Sequence, residues 1–284
     1  MLVTLLGLLL AADAPAQVRT LSVSVVSNKG TVGVEGVAPE EVAVLENGAA
    51  RDLVRFEPDT RPLTLALVVD TSEPMSSPFR LSVLPEVERF LTRLPAGTKT
   101  TLWTTGDRPT RLVDASADPA EAGRALRRAF LRGGNTLLDA LVEAAADLRK
   151  KEGERSMIVV VTGLGVGFTN TDRFTVAERV GKGDLLVAGV QFDEGRAPGG
   201  PQAEPGTVGA YDYEYVLSEL TRRTGGPYER SLTAQAMGQA LDRVLADLKG
   251  RYRLSYATLP ELKNRKLEVK VARPDVEVRS GVSR

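Results

Sequence analysis

The sequence predicts an α/β protein: a doubly wound, mostly parallel sheet flanked by helices, with a small β-sandwich-like appendage formed by both chain ends. Three observations carry this. Residues 63–69 (LTLALVV), 157–162 (MIVVVT) and 185–192 (LLVAGVQF) are nearly unbroken apolar runs, as parallel strands covered on both faces require. The stretches between them place apolar residues at helical spacing, and alternating strands and helices pack as layers around one sheet. At both ends of the chain the pattern changes to short runs of period two, which suit half-buried strands.

Taken in order, residues 1–16 read as a signal peptide. LVTLLGLLLAA at 2–12 is apolar, and Ala14-Pro15-Ala16 gives a small-x-small cleavage pattern, although no Lys or Arg precedes the run. The run is shorter than the roughly 20 residues that cross a bilayer, so the expectation is export (periplasm, cell surface or secreted) with no stable membrane span. Residues 17–60 form an N-terminal β segment. Leu21, Val23 and Val25 alternate with polar residues, Thr31 to Val37 make a second run, and Val42 and Val44 precede a turn at Asn47-Gly48, with Leu53 to Phe56 beyond.

Residues 62–250 form the α/β domain. Helices are expected where Val83, Leu84, Val87, Phe90, Leu91 and Leu94 recur, and where Leu137, Leu138, Leu141, Ala144, Ala145 and Leu148 recur. Ala122, Ala125, Leu126, Ala129 and Phe130 extend a third from the cap-and-proline start Asp118-Pro119. Two more, near 214–224 and 233–249, each stop at a glycine, Gly225 and Gly250, as left-handed caps would. Residues 193–210 are rich in Gly and Pro and read as a surface loop. Residues 251–284 return to β, with Leu267, Val269 and Val271 alternating, and are expected to pair with the N-terminal segment.

Composition removes several chemistries. There is no Cys and no His, so thiolate sites, disulfides and Ser-His-Asp catalysis are excluded. The 37 basic residues balance the 37 acidic ones, and no dense basic run points to nucleic acid. Arg124, Arg127, Arg128 and Arg132 fall on one helical face by spacing, which is ordinarily a solvated face and less often a contact for an acidic partner. Trp103, alternating within TTLWTT, reads as core.

The strand 63–69 runs into Asp70-Thr71-Ser72-Glu73-Pro74-Met75, at the carboxyl end where ligands sit in doubly wound sheets. This turn, with EEVAVLENGAARDLVRFEPDTRPLTLALVVDTSEPM around it, GGNTLLDAL downstream and YRLSYA…KLEVKVARPDVEVRS at the C-terminus, resembles the von Willebrand factor type A family. More narrowly it is similar to a bacterial exported subgroup with β-rich flanks on both sides of the domain. The resemblance implies a metal-ion-dependent adhesion site, in which hydroxyls and carboxylates hold Mg²⁺ and a partner's acid completes the shell. Asp70, Ser72 and Thr136 match three of its five positions. Pro74 stands where a Ser is expected, and Gly163 where an Asp is expected, so the implied site is degenerate, with Mg²⁺ weak or lost and no other cofactor.

Each survivor also has a local explanation. Thr136 and Asp139 fit a capping box, and Asp70 and Ser72 fit a tight turn. The functional expectation is an extracytoplasmic, adhesion-type protein–protein interaction module without catalysis, contacting an unknown protein ligand through 70–76, Asn135-Thr136 and 163–170. Alternatives are a structural spacer of an envelope assembly and, at lower weight, a nucleotide-binding enzyme using Gly163-Leu164-Gly165-Val166-Gly167. That run lacks the third fingerprint glycine, because Phe168 stands there. A carboxylate hydrolase built on Asp212 and Glu214 in AYDYEYV is weaker than a plain helix start.

Overall fold

The computed structural model describes residues 17–151, 153–163, 167–193, 210–259 and 265–281. The expected signal peptide, most of the 193–210 loop, residues 164–166 of the glycine run and the side chain of Tyr211 lie outside these. The chain opens with β1 (Gln17–Ser27), β2 (Val42–Glu46), β3 (Ala49–Arg51) and β4 (Leu53–Pro58). It then enters β5 (Leu63–Val69), a helical turn α1 (Ser76–Pro78), α2 (Leu84–Thr92), β6 (Lys99–Thr104) and β7 (Thr110–Ser116). Next come α3 (Pro119–Arg127), α4 (Leu137–Leu148), β8 (Arg155–Gly163), α5 (Arg173–Val180) and β9 (Leu186–Phe192). The last elements are α6 (Ala210–Thr224), β10 (Tyr228–Ser231), α7 (Ala234–Lys249), β11 (Arg251–Thr258), β12 (Leu267–Val271) and β13 (Val276–Ser280).

The central sheet runs β10-β9-β8-β5-β6-β7. All neighbours are parallel except β7, which pairs antiparallel with β6 at one edge. Every residue of β5 is buried, and alternation sends its side chains to two separate cores. Leu65, Leu67 and Val69 join Phe79, Val87, Phe90 and Leu241 on one face. Ala66 and Val68 join Trp103, Leu141, Tyr213 and Leu217 on the other. This is the expected doubly wound architecture.

The chain ends make two further sheets, β13-β1-β11-β4 and β12-β2-β3. β1 pairs antiparallel with β11, and β2 with β12, so each sheet combines strands from both ends of the chain. Val23, Val25, Phe56, Tyr252, Leu254 and Tyr256 meet Val44 and Val269 in a common core. Phe56 and Tyr252 stack with ring centroids 4.6 Å apart. The hairpin between β2 and β3 turns at Asn47 and Gly48, with φ of 52° and 81°, as this dipeptide favours.

Local expectations are corrected at several points. Thr31 to Val37 is not a strand; one bridge joins Gly33 to Val26, and Val37 drops into the sandwich core, its N–H donating to Tyr252 Oη. Helix α3 stops at Arg127, and the chain then runs to the loops after β5 and β6, so Phe130 lies beyond the helix and is 84% exposed. Helix α6 begins at Ala210, ahead of the expected start. Gly225 is left-handed at φ 78°, but Gly250 has φ −86°. Position 250 needs glycine for another reason: a Cβ there would collide with the Val25 carbonyl.

Candidate functional site

The carboxyl ends of β5, β6 and β8 lie side by side, and chain order makes β5 the strand from which the sheet grows in both directions. A crevice at such a reversal is where this class of sheet binds ligands. Asp70 leaves β5 here with its N–H donating to Val161 O at 2.8 Å, and its side chain is buried.

Protein groups surround the carboxylate. Oδ1 accepts from Ser72 N at 2.9 Å and Thr105 Oγ1 at 3.5 Å. Oδ2 accepts from Asn135 Nδ2 at 2.8 Å, Gly163 N at 3.0 Å and Thr162 Oγ1 at 3.1 Å. Burial pushes the Asp70 carboxyl above the usual range, and these N–H and O–H donors offset part of that push. They come from the ends of three strands and from the GGNT loop.

Asn135 is the hub; the sequence placed it in a contact loop but did not reveal this role. It is fully buried. Its Nδ2 donates to Asp70 and also to Thr162 Oγ1 at 3.0 Å, while its Oδ1 accepts from Leu137 N at 3.0 Å at the start of α4. Its backbone carbonyl accepts from Tyr213 Oη and Phe168 N, both at 2.8 Å. Burial and the nearby Asp70 charge hold the Tyr213 hydroxyl in its protonated form by raising its pKa. The capping box expected at Thr136 is absent, because Asn135 supplies the cap instead. Thr136 Oγ1 donates to Thr105 O at 2.7 Å, and Asp139 accepts from Asn170 N and Thr171 N, both at 2.9 Å.

The other expected positions are close by. Ser72 Oγ is buried without a hydrogen-bond partner. Pro74 is exposed within the single turn Glu73–Met75 and offers no side-chain oxygen. Met75 is buried, and its sulfur lies against Gly163 so that any Cβ there would collide with it. Thus the position where the family resemblance calls for a carboxylate is closed by a thioether, and Asp70 meets the backbone N–H of Gly163. Phe168 lies over Gly134 in the same way and is 66% exposed at the rim.

Among the described residues, the groups named in the rival readings are occupied by local contacts. Helix α5 begins at Arg173, and the Asp172 side chain accepts from Phe174 N and Thr175 N, so an acid occupies the helix N-terminus a phosphate would need. Asp212 pairs with Arg173 at 2.9 Å, and Glu214 lies 3.4 Å from Arg230. The arginine cluster is also split. Arg124 pairs with Asp118 and Arg127 with Glu88, whereas Arg128 and Arg132 lie past the helix and turn toward the rim of the Asp70 crevice.

Residues 65–166 match the family model described as the von Willebrand factor type A domain. No curated protein sequence matches the chain. Among solved structures, BatB from Bacteroides thetaiotaomicron is similar at 13% identity and TM-score 0.50, over 66% of this chain and 98% of that one. Proximal thread matrix protein 1 from the mussel byssus, with a zinc-occupied metal-ion-dependent adhesion motif, is similar at 12% identity and TM-score 0.52. That match covers 72% of this chain and 50% of the mussel protein. The pilus adhesin SpaC from Lactobacillus rhamnosus GG is similar at 10% identity and TM-score 0.52, over 88% of this chain and 49% of SpaC. At these identities the likeness concerns the fold alone. With the family match over β5 to β8 and the sheet order around Asp70, the α/β part of this chain has the von Willebrand factor type A fold.

Proposed function

We propose that this chain is an extracytoplasmic protein–protein interaction module whose metal site has been replaced by a fixed hydrogen-bond network. The observation that carries the reading is the saturation of Asp70. Five N–H or O–H donors face its two oxygens, where a bound cation would need open lone pairs. Mg²⁺ sheds water reluctantly and relies on carboxylate ligands in octahedral array. Among the described residues no group of three or more acidic, His or Cys side chains gathers as a ligand set. Of the three matching positions, Asp70 is held by protein donors, Thr136 Oγ1 is turned to the Thr105 carbonyl, and Ser72 Oγ lies buried beside them. The donor set present does not suit a hard divalent cation.

Export rests on the apolar run at 2–12 and the Ala14-Pro15-Ala16 pattern, and no described helix is long and apolar enough to cross a membrane. The adhesin and byssus proteins of similar fold make contact with other proteins the favoured role for the crevice end of the sheet. That role needs only a rigid surface, and the network supplies rigidity without metal.

Two measurements test this on the full chain. Thermal unfolding with millimolar Mg²⁺ or Mn²⁺ should leave the midpoint unchanged. A ligand at a hundred times its dissociation constant adds about 2.7 kcal/mol, so a rise that Asp70→Ala abolishes would overturn the metal-free reading. A photo-crosslinker placed at Pro74 or Phe168 should capture extracytoplasmic protein, and one at Lys151 should not. Equal capture from all three positions would remove the crevice end as the contact face.

A further inference from the structure

A groove of about 390 Å³ opens beside the Asp70 crevice, lined by Thr71, Arg108, Leu112, Arg128, Phe130 and Arg132 among others. Hydrogen bonds tie its base. Arg132 N donates to Thr71 O at 3.0 Å and Gly106 N to Thr71 Oγ1 at 3.1 Å, so the residue after Asp70 ties three loops together. The groove is therefore a preformed shape continuous with the contact face proposed above.

Its charge is one-sided. No acidic residue lines the groove, and three arginines do. Elsewhere on this side of the molecule arginines are neutralised: Arg111 by Asp147 at 3.0 Å, Arg124 by Asp118 at 2.8 Å, and Arg127 by Glu88. Arg108 and Arg128 have no acidic partner among the described residues, and the nearest acid to Arg132 is Asp107 at 3.8 Å, with both side chains exposed. In a chain with equal numbers of acids and bases, two guanidinium groups without an acid and a third only loosely paired in one groove are a local asymmetry. Beside them stand Phe130, 84% exposed, and Leu112, 40% exposed. Arginine and aromatic side chains together are the residue types that dominate binding energy at protein interfaces.

We infer that this groove binds an acidic protein segment, one that places carboxylates on Arg108, Arg128 and Arg132 and an apolar side chain against Phe130. Guanidinium groups hold carboxylates with paired hydrogen bonds, so they supply the acid recognition that the missing cation would otherwise provide. This rests on the crevice end being the contact face, but its chemistry is separate from the state of Asp70. Protein is favoured over nucleic acid because the groove joins the charge to exposed apolar side chains and balances it nowhere with a longer basic track.

The probe is a fluorescein-labelled peptide alternating Glu and Asp with Leu and Phe, titrated with the full chain and followed by anisotropy. Binding should weaken about tenfold or more in Arg108→Glu/Arg128→Glu. Lys151→Glu/Arg179→Glu changes net charge equally at exposed sites that do not line the groove, and should leave affinity within about twofold. Phe130→Ser should weaken the peptide but not a polyglutamate control. Absence of binding, equal loss in both charge-reversal variants, or tighter Arg108-dependent binding of a single-stranded oligonucleotide would each overturn the inference. If the peptide fails while crosslinkers at Pro74 and Phe168 still capture protein, only this inference falls. Loss of both would remove the contact face itself.

Discussion

Gly163 meets two demands at one position. Its N–H reaches Asp70 Oδ2 at 3.0 Å, and its lack of a side chain leaves room for Met75 Sδ. Restoring a carboxylate there should therefore fail by itself. Gly163→Asp drives a Cβ into the thioether and sets a second acid beside a buried one, so an overpacking cost of about 3 kcal/mol is expected before charge is counted. Adding Met75→Ala removes the obstruction and leaves two acids and Ser72 Oγ around one space. The double variant should gain a melting midpoint that rises with Mg²⁺, while the unmodified chain shows none. A single variant as stable as the parent would mean that Met75 is not what closes the site. A double variant indifferent to Mg²⁺ would place the loss elsewhere, with Pro74 the next position to restore.

Single elements differ in how much of their role can be read from sequence. β5 is legible because every one of its side chains is buried, so its apolar run is unbroken. β7 is not: Val113 is its one buried residue, and an edge strand with one covered face leaves little pattern. Asp70 could be placed at the end of β5, but Asn135 could not be assigned, since its role depends on the ends of β5 and β8 meeting around it. β2 carries a signal of a third kind, for alternation puts Glu46 on the buried face with Val44. There Glu46 accepts from Thr258 Oγ1 at 2.7 Å, Arg51 Nε at 3.0 Å and Tyr256 Oη at 3.2 Å, with Arg265 3.6 Å away. Burial alone would raise its pKa, but these donors outweigh it and hold the carboxyl below the usual range. The unfolded chain then binds the proton more readily than the folded one. Stability from Glu46 is complete above the unfolded value of about 4.3 and is lost as pH falls through the lower folded one. Glu46→Gln should cost about 3 kcal/mol near neutrality, because it removes the carboxylate that faces buried Arg265 and half-buried Arg51. The gap between variant and parent in urea midpoint should narrow in acid, and a constant gap would exclude the carboxylate charge as its source.

Across the whole molecule, the question is whether the α/β domain and the sandwich unfold as one. Only Gly250 separates α7 from β11, and Val25 N donates to Gly250 O at 2.8 Å, so the last helix enters the sandwich without a linker. Arg251 binds Asp247 at 2.6 Å and donates to Gly225 O at 2.8 Å, with both side chains of the pair almost wholly buried. It thereby ties the first residue of the sandwich strand to α7 and to the cap of α6. Such a pair adds little over an apolar substitute, but removing one partner leaves a buried charge and costs about 4 kcal/mol. The sole tryptophan, Trp103, reports on the central sheet, while Tyr252 and Tyr256 belong to the sandwich core. Fluorescence of Trp103 and the NMR ring signals of Tyr252 and Tyr256 should give coincident transitions in the parent, the mark of one cooperative unit. Arg251→Ala should lower the midpoint and separate the two probes, with the sandwich signal lost first. Separate transitions in the parent would mean that the joint is only a contact. The sandwich could then change without disturbing Asp70, and a partner on the crevice face would sense nothing of the flanks.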